Sequence, residues 1–210
     1  MKNVNCKLYS LYYIFYIFDS TINNKMLKKI QKFFKAGKAP AKSSFVCYCC
    51  GNEQHNWPAL SYKTPVYYST LSEDDKNTIT EISSDLCVIK YFDETNFFIR
   101  CVLFQSIVDC EDELNYGLWV SLSEKSFQDY KDKFPDQDCE GTYFGWISNN
   151  LEGYNSTLSI PANVVLGKDG NRPEVVPHSS FDHPFVTDYY NGISLKEAHK
   201  RIETVLKFSS

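Results

Sequence analysis

The chain has 210 residues, a formal charge of −4, 43% hydrophobic and 23% charged residues, a composition that suits a globular protein with one substantial core. Its negative balance, 22 Lys plus Arg against 26 Asp plus Glu, excludes general nucleic-acid binding, which needs a basic face to displace counterions from phosphates. The 15 Tyr and 15 Phe, rich alongside Asn, Ile and Lys, read as the signature of an AT-rich coding genome and not as base-stacking platforms. Eight cysteines (6, 47, 49, 50, 87, 101, 110 and 139) invite a disulfide framework. Such frameworks belong to short secreted chains with poor cores, so a reducing cytoplasm is the expected compartment.

The N-terminus carries an apolar run from Leu8 to Phe18. That length suits a secretory apolar region and falls short of a membrane span of about twenty residues. No small-residue cleavage pattern follows in "DSTINNK", and Met26 opens "MLKKIQKFF", which resembles an ordinary start. Residues 1–25 are therefore read as an N-terminal extension upstream of the true start, with an export signal or membrane anchor as the alternative. Residues 26–44 are expected to hold a short helix, with apolar positions Met26, Leu27, Ile30, Phe33 and Phe34, followed by the linker "KAGKAPAKSS". A single domain is expected over 45–210.

Ser72, followed by three carboxylates, predicts a helix N-cap. "DLCVIKYF" and "NFFIRCVLFQSIV" predict strands joined through the turn "DETN", and "YGLWVSLS" a third. Ser123 predicts the cap of a short helix ended at Pro135. "GTYFGWISNNL", "NSTLSIPANVVL" and "EVVPHS" supply further strands, the last preceded by an Asp-Gly turn. The chain closes on "ISLKEAHKRIETVLKF", an amphipathic helix capped by Ser194, with Glu197 placed to complete a capping box. The order predicts an α+β fold: a mainly antiparallel sheet, a Cys-rich N-terminal knuckle and a C-terminal amphipathic helix.

The knuckle is "FVCYCCGNEQHNWP", residues 45–58. Cys47 and Cys50 stand as C-x2-C before Gly51, a spacing that lets two thiolates reach one metal while glycine tolerates the turn. His55 is close enough to supply an imidazole, and Cys87, at the start of a predicted strand, is the natural fourth donor. Cys47, Cys50, His55 and Cys87 would hold a structural zinc in a tetrahedral S3N set. Free cysteines in a small β-turn, or a redox or nucleophilic role, are the competing readings.

Taken with "SSDLCVI", "NFFIRCVL", "YGLWVSLSEKSFQDY", "FGWISNNLEGY", "NRPEV" and "DHPFVTDYYNGIS", the knuckle resembles a bacterial family of unknown function, the domain of unknown function 2199, over about residues 45–205. The resemblance implies that the family's C-x2-C-G and later His fall on Cys47, Cys50, Gly51 and His55. Its D-x-C pair falls on Asp85 and Cys87, its W-x-S-x-S strand on Trp119, Ser121 and Ser123, and its H-P step on His183 and Pro184. Cys49 and Cys101 depart from that pattern. The family implies no reaction.

Other constellations are weaker. Asp182 and His183 could form half of an acid-base pair with Cys87 or Ser121 as nucleophile, though hydrogen-bonded structural roles suit them better. Arg100, inside an apolar strand, must meet a carboxylate such as Asp85 or Glu174, or point to solvent; Arg172 is a binding-site cation or a loop anchor. Trp146 and Asn149 could line a pocket, with core packing as the plainer reading. The leading expectation is a zinc-stabilised, cytoplasmic protein-interaction or regulatory module, immunity-like in the sense of neutralising or titrating a protein partner. It would bind no nucleic acid, and no membrane unless residues 1–25 anchor it. The competing class is a zinc- or cysteine-dependent hydrolase-type enzyme with Cys87 and His183 near its site.

Overall fold

The computed structural model describes residues 45–46, 53–54, 57–108, 110–133, 140–167 and 171–208. The expectations for residues 1–44, for Cys47, Cys50 and His55, for Pro135 and for the Asp-Gly turn at 169–170 lie outside them. All described residues belong to one unit, 40–210.

β1 (Phe45–Val46) and β2 (Glu53–Gln54) pair antiparallel with each other. After β3 (Leu60–Ser61) come two short helices, α1 (Val66–Ser69) and α2 (Glu73–Thr78). Ser72 caps α2 as expected: its Oγ accepts from the Asp75 amide at 3.1 Å, and three acids fill the first turn. The chain then enters β4 (Thr80–Ile82), β5 (Leu86–Lys90), β6 (Thr95–Ser106) and β7 (Glu113–Leu122). Ser123 starts α3 (Glu124–Lys133), its Oγ accepting from the Ser126 amide at 3.2 Å. β8 (Thr142–Ile147), β9 (Pro161–Val165) and β10 (Glu174–Pro177) follow. Two helices close the chain, α4 (Pro184–Asn191) and α5 (Leu195–Phe208). α4 is an addition to the expected elements, and Pro184 at its first position is its local start signal. Ser194 caps α5, but Glu197 departs from the expected capping box: its carboxylate accepts from Arg201 Nε at 3.1 Å.

The fold combines helices with a sheet-rich, barrel-like core. Strands β3 to β10 form one sheet in the order β3-β7-β8-β9-β10-β6-β5-β4, and an added β6–β7 pairing closes five of them, β6-β7-β8-β9-β10, into a ring. β6 and β7 pair antiparallel over ten positions, from Phe97↔Leu122 to Ser106↔Glu113. On its far edge β6 takes β5 first (Leu86↔Ile99) and then, beyond Arg100, β10 in parallel (Glu174↔Val102). β3 lies parallel to β7, so the mostly antiparallel sheet carries two parallel pairs. Ring closure satisfies strand edges that an open sheet would leave bare.

The alternation of β6 and β7 decides which side chains fill the ring. Ile99, Cys101 and Leu103 of β6 and Leu114, Tyr116, Leu118 and Val120 of β7 are fully or almost fully buried in one cluster. β8 to β10 complete it with Ile147, Ala162, Val164 and Val175. Gly145 lies where β8 presses on β7; a Cβ there would sit 2.5 Å from Val120 Cγ1 and 2.8 Å from the Ser121 carbonyl. One mouth of the ring is stopped by α3, whose Phe127 ring centre is 5.0 Å from that of Phe97. The other is stopped by α4 and α5: Gln105 Nε2 donates to the Asp188 carbonyl, and Ile107 bridges to Ile193. No helix among the described residues is long and apolar enough to cross a membrane.

Candidate functional site

The opposite parity of the same strands faces outward. Register sets Cys87, Phe98, Ser121 and Trp146 side by side across β5, β6, β7 and β8. Next to that row, Arg100 lies opposite Trp119. Residues drawn from widely separated sequence motifs (Asp85, Cys87, Trp119 and Ser121) therefore meet on one surface of the sheet.

Part of that surface is roofed. Cys87, Ile89, Phe98 and Trp119 form a second apolar cluster, with Tyr62, Tyr68, Leu71 and Ile79 packed against it. The Tyr67 ring stacks on Phe98 with centroids 5.6 Å apart. Asn149 fastens the roof: its Oδ1 accepts from the Trp119 amide at 2.7 Å and its Nδ2 donates to the Thr64 carbonyl at 2.9 Å. Trp119 Nε1 donates to the Tyr62 carbonyl at 3.1 Å. Asn149 thus has a buried structural role and does not line a pocket.

Cys87 is fully buried beneath this roof, and burial pushes its thiol up to about 12. A thiol in such a setting stays protonated near neutral pH and is a poor nucleophile. In the register row Phe98 stands between Cys87 and Ser121. His183 is engaged elsewhere: its Nδ1 accepts from the Phe185 amide at 3.0 Å as the N-cap of α4, and its ring neighbours are Tyr154 and Phe181. No contact among the described residues joins His183 to Cys87 or Ser121, so the acid–base–nucleophile set is not assembled. For the zinc set, Cys87 alone falls within the described residues; among these no group of three or more His, Cys, Asp and Glu is placed to hold a metal.

Of the options for Arg100, the pairing with Asp85 is taken by another residue. Arg172, not Arg100, takes the Asp85 carboxylate, its Nε donating to Oδ1 at 2.6 Å. Burial raises the Asp85 carboxyl, but hydrogen bonds from Arg172 and Ser84 outweigh it and hold the group below the usual aspartate range. Arg100 instead lies over the Trp119 ring, Cζ 5.9 Å from the centroid, a cation–π contact.

Arg201 is the one charged side chain in the core of the described residues, 3% exposed. It donates to Glu197 (3.1 Å), Tyr116 Oη (3.1 Å) and Tyr154 Oη (2.8 Å), and Tyr154 in turn donates to Asp188 at 2.9 Å. Burial disfavours its charge, yet the two tyrosines outweigh that and raise its affinity for the proton. The set pins α4 and α5 to the ring mouth, a structural task.

Beyond the roof the outer face lies open. Phe144 and Trp146 of β8 are 47% and 43% exposed and meet edge to face with centroids 5.0 Å apart. His178 adds its ring 5.4 Å from Phe144 and shares a 3.1 Å hydrogen bond with Asn163 of β9. Period-two alternation in "TYFGWI" marks Phe144 and Trp146 as facing the same way; the closed ring makes that way outward.

No curated protein and no solved structure matches the chain. Over residues 46–193, well beyond half its length, it matches a family described as an uncharacterized protein conserved in bacteria (DUF2199), and it belongs to that family.

Proposed function

We propose that this bacterial protein works by binding another protein, as an interaction or regulatory module, through the open outer face of β8 and β9. The observation that carries the reading is the exposed Phe144–Trp146 edge-to-face pair with His178 at its margin. Aromatic side chains give large contact area at low entropic cost and dominate binding energetics at interfaces. The buried Cys87 thiol and the capping role of His183 favour this reading over a cysteine-dependent enzyme.

The test places a photo-crosslinking residue at Phe144 and, as control, at the fully exposed Phe92 in the producing bacterium. One defined protein crosslinked from position 144, absent from 92, and binding purified full-length chain at 1:1 stoichiometry would support the proposal. Equal crosslinking from both positions would sink it.

The same proposal includes a structural zinc held by Cys47, Cys50 and His55 with Cys87. The donor set has the chemistry zinc prefers, and a thiolate in the Cys87 setting needs a cation beside it to form. Elemental analysis of the purified protein is expected to find one zinc per chain, lost on Cys87→Ser. A metal-free wild-type protein that folds would remove the clasp while leaving the binding face untouched.

A further inference from the structure

We propose that Arg100 and Arg172, brought together where β6 exchanges one edge partner for another, form a receiving site for a carboxylate. The Arg100 amide donates to the Asp85 carbonyl at 2.9 Å, and the Val102 amide, two residues on, donates to the Pro173 carbonyl at 2.9 Å. The segments that carry Asp85 and Arg172 therefore converge on Arg100. Both oxygens of Asp85 are already engaged: Arg172 Nε donates to Oδ1 and Ser84 Oγ to Oδ2, each at 2.6 Å. Arg100 has no ion pair among the described residues, and its Nε is buried with no hydrogen-bond partner. That nitrogen is closed off, but the side chain is only partly buried, and its two Nη groups, which have no hydrogen-bond partner among the described residues, are the donors an oxyanion can take.

The cluster itself selects the anion. Two guanidinium groups against one carboxylate leave a single net positive charge, which one monoanion balances and a dianionic phosphate overshoots. The Trp119 ring, 5.9 Å from Arg100 Cζ, supports one face of the guanidinium and leaves its donor fork to meet a planar acceptor. Burial, and after it the Arg172 charge, lower the proton affinity of Arg100, while Asp85 works against them. A second carboxylate would act in the same direction as Asp85. The carboxylate could belong to an acidic residue of a polypeptide or to a small organic acid; the site stands on its own geometry and does not depend on the open β8–β9 face.

The probe is the Arg Nε–Hε region of the NMR spectrum of the nitrogen-15-labelled full-length chain, titrated with sodium acetate, acetyl-Gly-Asp-Gly-amide, sodium phosphate and sodium chloride. The expected result is a saturable shift of the Arg100 and Arg172 resonances with acetate, absent with chloride at equal ionic strength. Saturation by the tripeptide at a concentration tenfold or more below acetate assigns the carboxylate to a polypeptide; equal or weaker binding assigns it to a small acid. Arg100→Lys keeps the charge and the aliphatic stem but loses the fork, and should weaken acetate binding at least threefold with an unchanged amide spectrum. Chloride reproducing the shifts, phosphate saturating at lower concentration than acetate, or wild-type acetate affinity in a folded Arg100→Lys protein would each overturn the proposal.

Discussion

Asn149 holds Trp119 under its roof: one side-chain amide accepts from the Trp119 backbone at 2.7 Å and donates to Thr64, eighty-five residues away, at 2.9 Å. Trp119 is fully buried, so its amide has no water to turn to once Asn149 is removed, whereas Thr64 is half-buried. Asn149→Ala should cost about 1–3 kcal/mol, the cost of one orphaned buried group, the Trp119 amide. Urea unfolding reads the loss, and hydrogen exchange at Trp119 should accelerate with it. A loss below about 0.5 kcal/mol would mean that the roof is fastened by packing alone, the level of an ordinary surface change.

Trp146→Ala separates binding from folding. The side chain is 43% exposed, so stability should move by no more than about 1 kcal/mol, while affinity for the crosslinked partner should fall by about 2 kcal/mol or more, roughly thirtyfold. Calorimetric titration against the purified partner supplies the number; wild-type affinity would move the interface elsewhere.

Cys87 should resist alkylation in the native protein. Its sulfur is fully buried beneath the roof, so iodoacetamide should label Cys87 only after denaturation, whether the sulfur carries a proton or the proposed zinc. Peptide mass spectrometry distinguishes this from prompt native labelling, the outcome that would revive the reactive-thiol reading.

The ion pair of Asp85 with Arg172 predicts an acid-side effect. The folded carboxyl titrates below its ordinary value, so the unfolded chain takes up the proton first as pH falls. Its contribution is present in full above the unfolded aspartate value and is lost as pH drops through the folded one. Asp85→Asn should lower the thermal midpoint at pH 7 and narrow its gap to the wild type below about pH 3. Parallel curves for the two proteins would show that the pair contributes nothing pH-dependent.

Arg201→Met tests the buried guanidinium. Breaking a buried charged network by removing one member costs about 3–5 kcal/mol. The loss should open the α4–α5 mouth of the ring first, seen as faster exchange across residues 184–202 than in β6 and β7. Uniform exchange across the chain would show that the helices and the ring unfold together.

Much of the local structure was legible in the chain because its causes are local. Ser72, Ser123 and Ser194 cap helices through their own neighbours, and "NFFIRCVLFQSIV" and "YGLWVSLS" read as strands from residue type alone. Other features had no local signature. Nothing in "SSDLC" says that Phe98 will separate Cys87 from Ser121, since that depends on the β5–β6–β7 register. The helix after His183 has one local signal, Pro184 at its first position, and its cap depends on the His183 ring accepting from the Phe185 amide.

The sequence by itself determined composition class, most strands and helix starts, and the family, all set by residue type and short spacing. Tertiary structure alone decided the ring closure, with β6 pairing β5, β7 and β10, and so which side of each strand is core. That decision buried Cys87, exposed Phe144 and Trp146, and gave the Asp85 carboxylate to Arg172 in place of Arg100. The physical reason is that strand parity offers two faces with equal local preference, and only long-range pairing chooses between them.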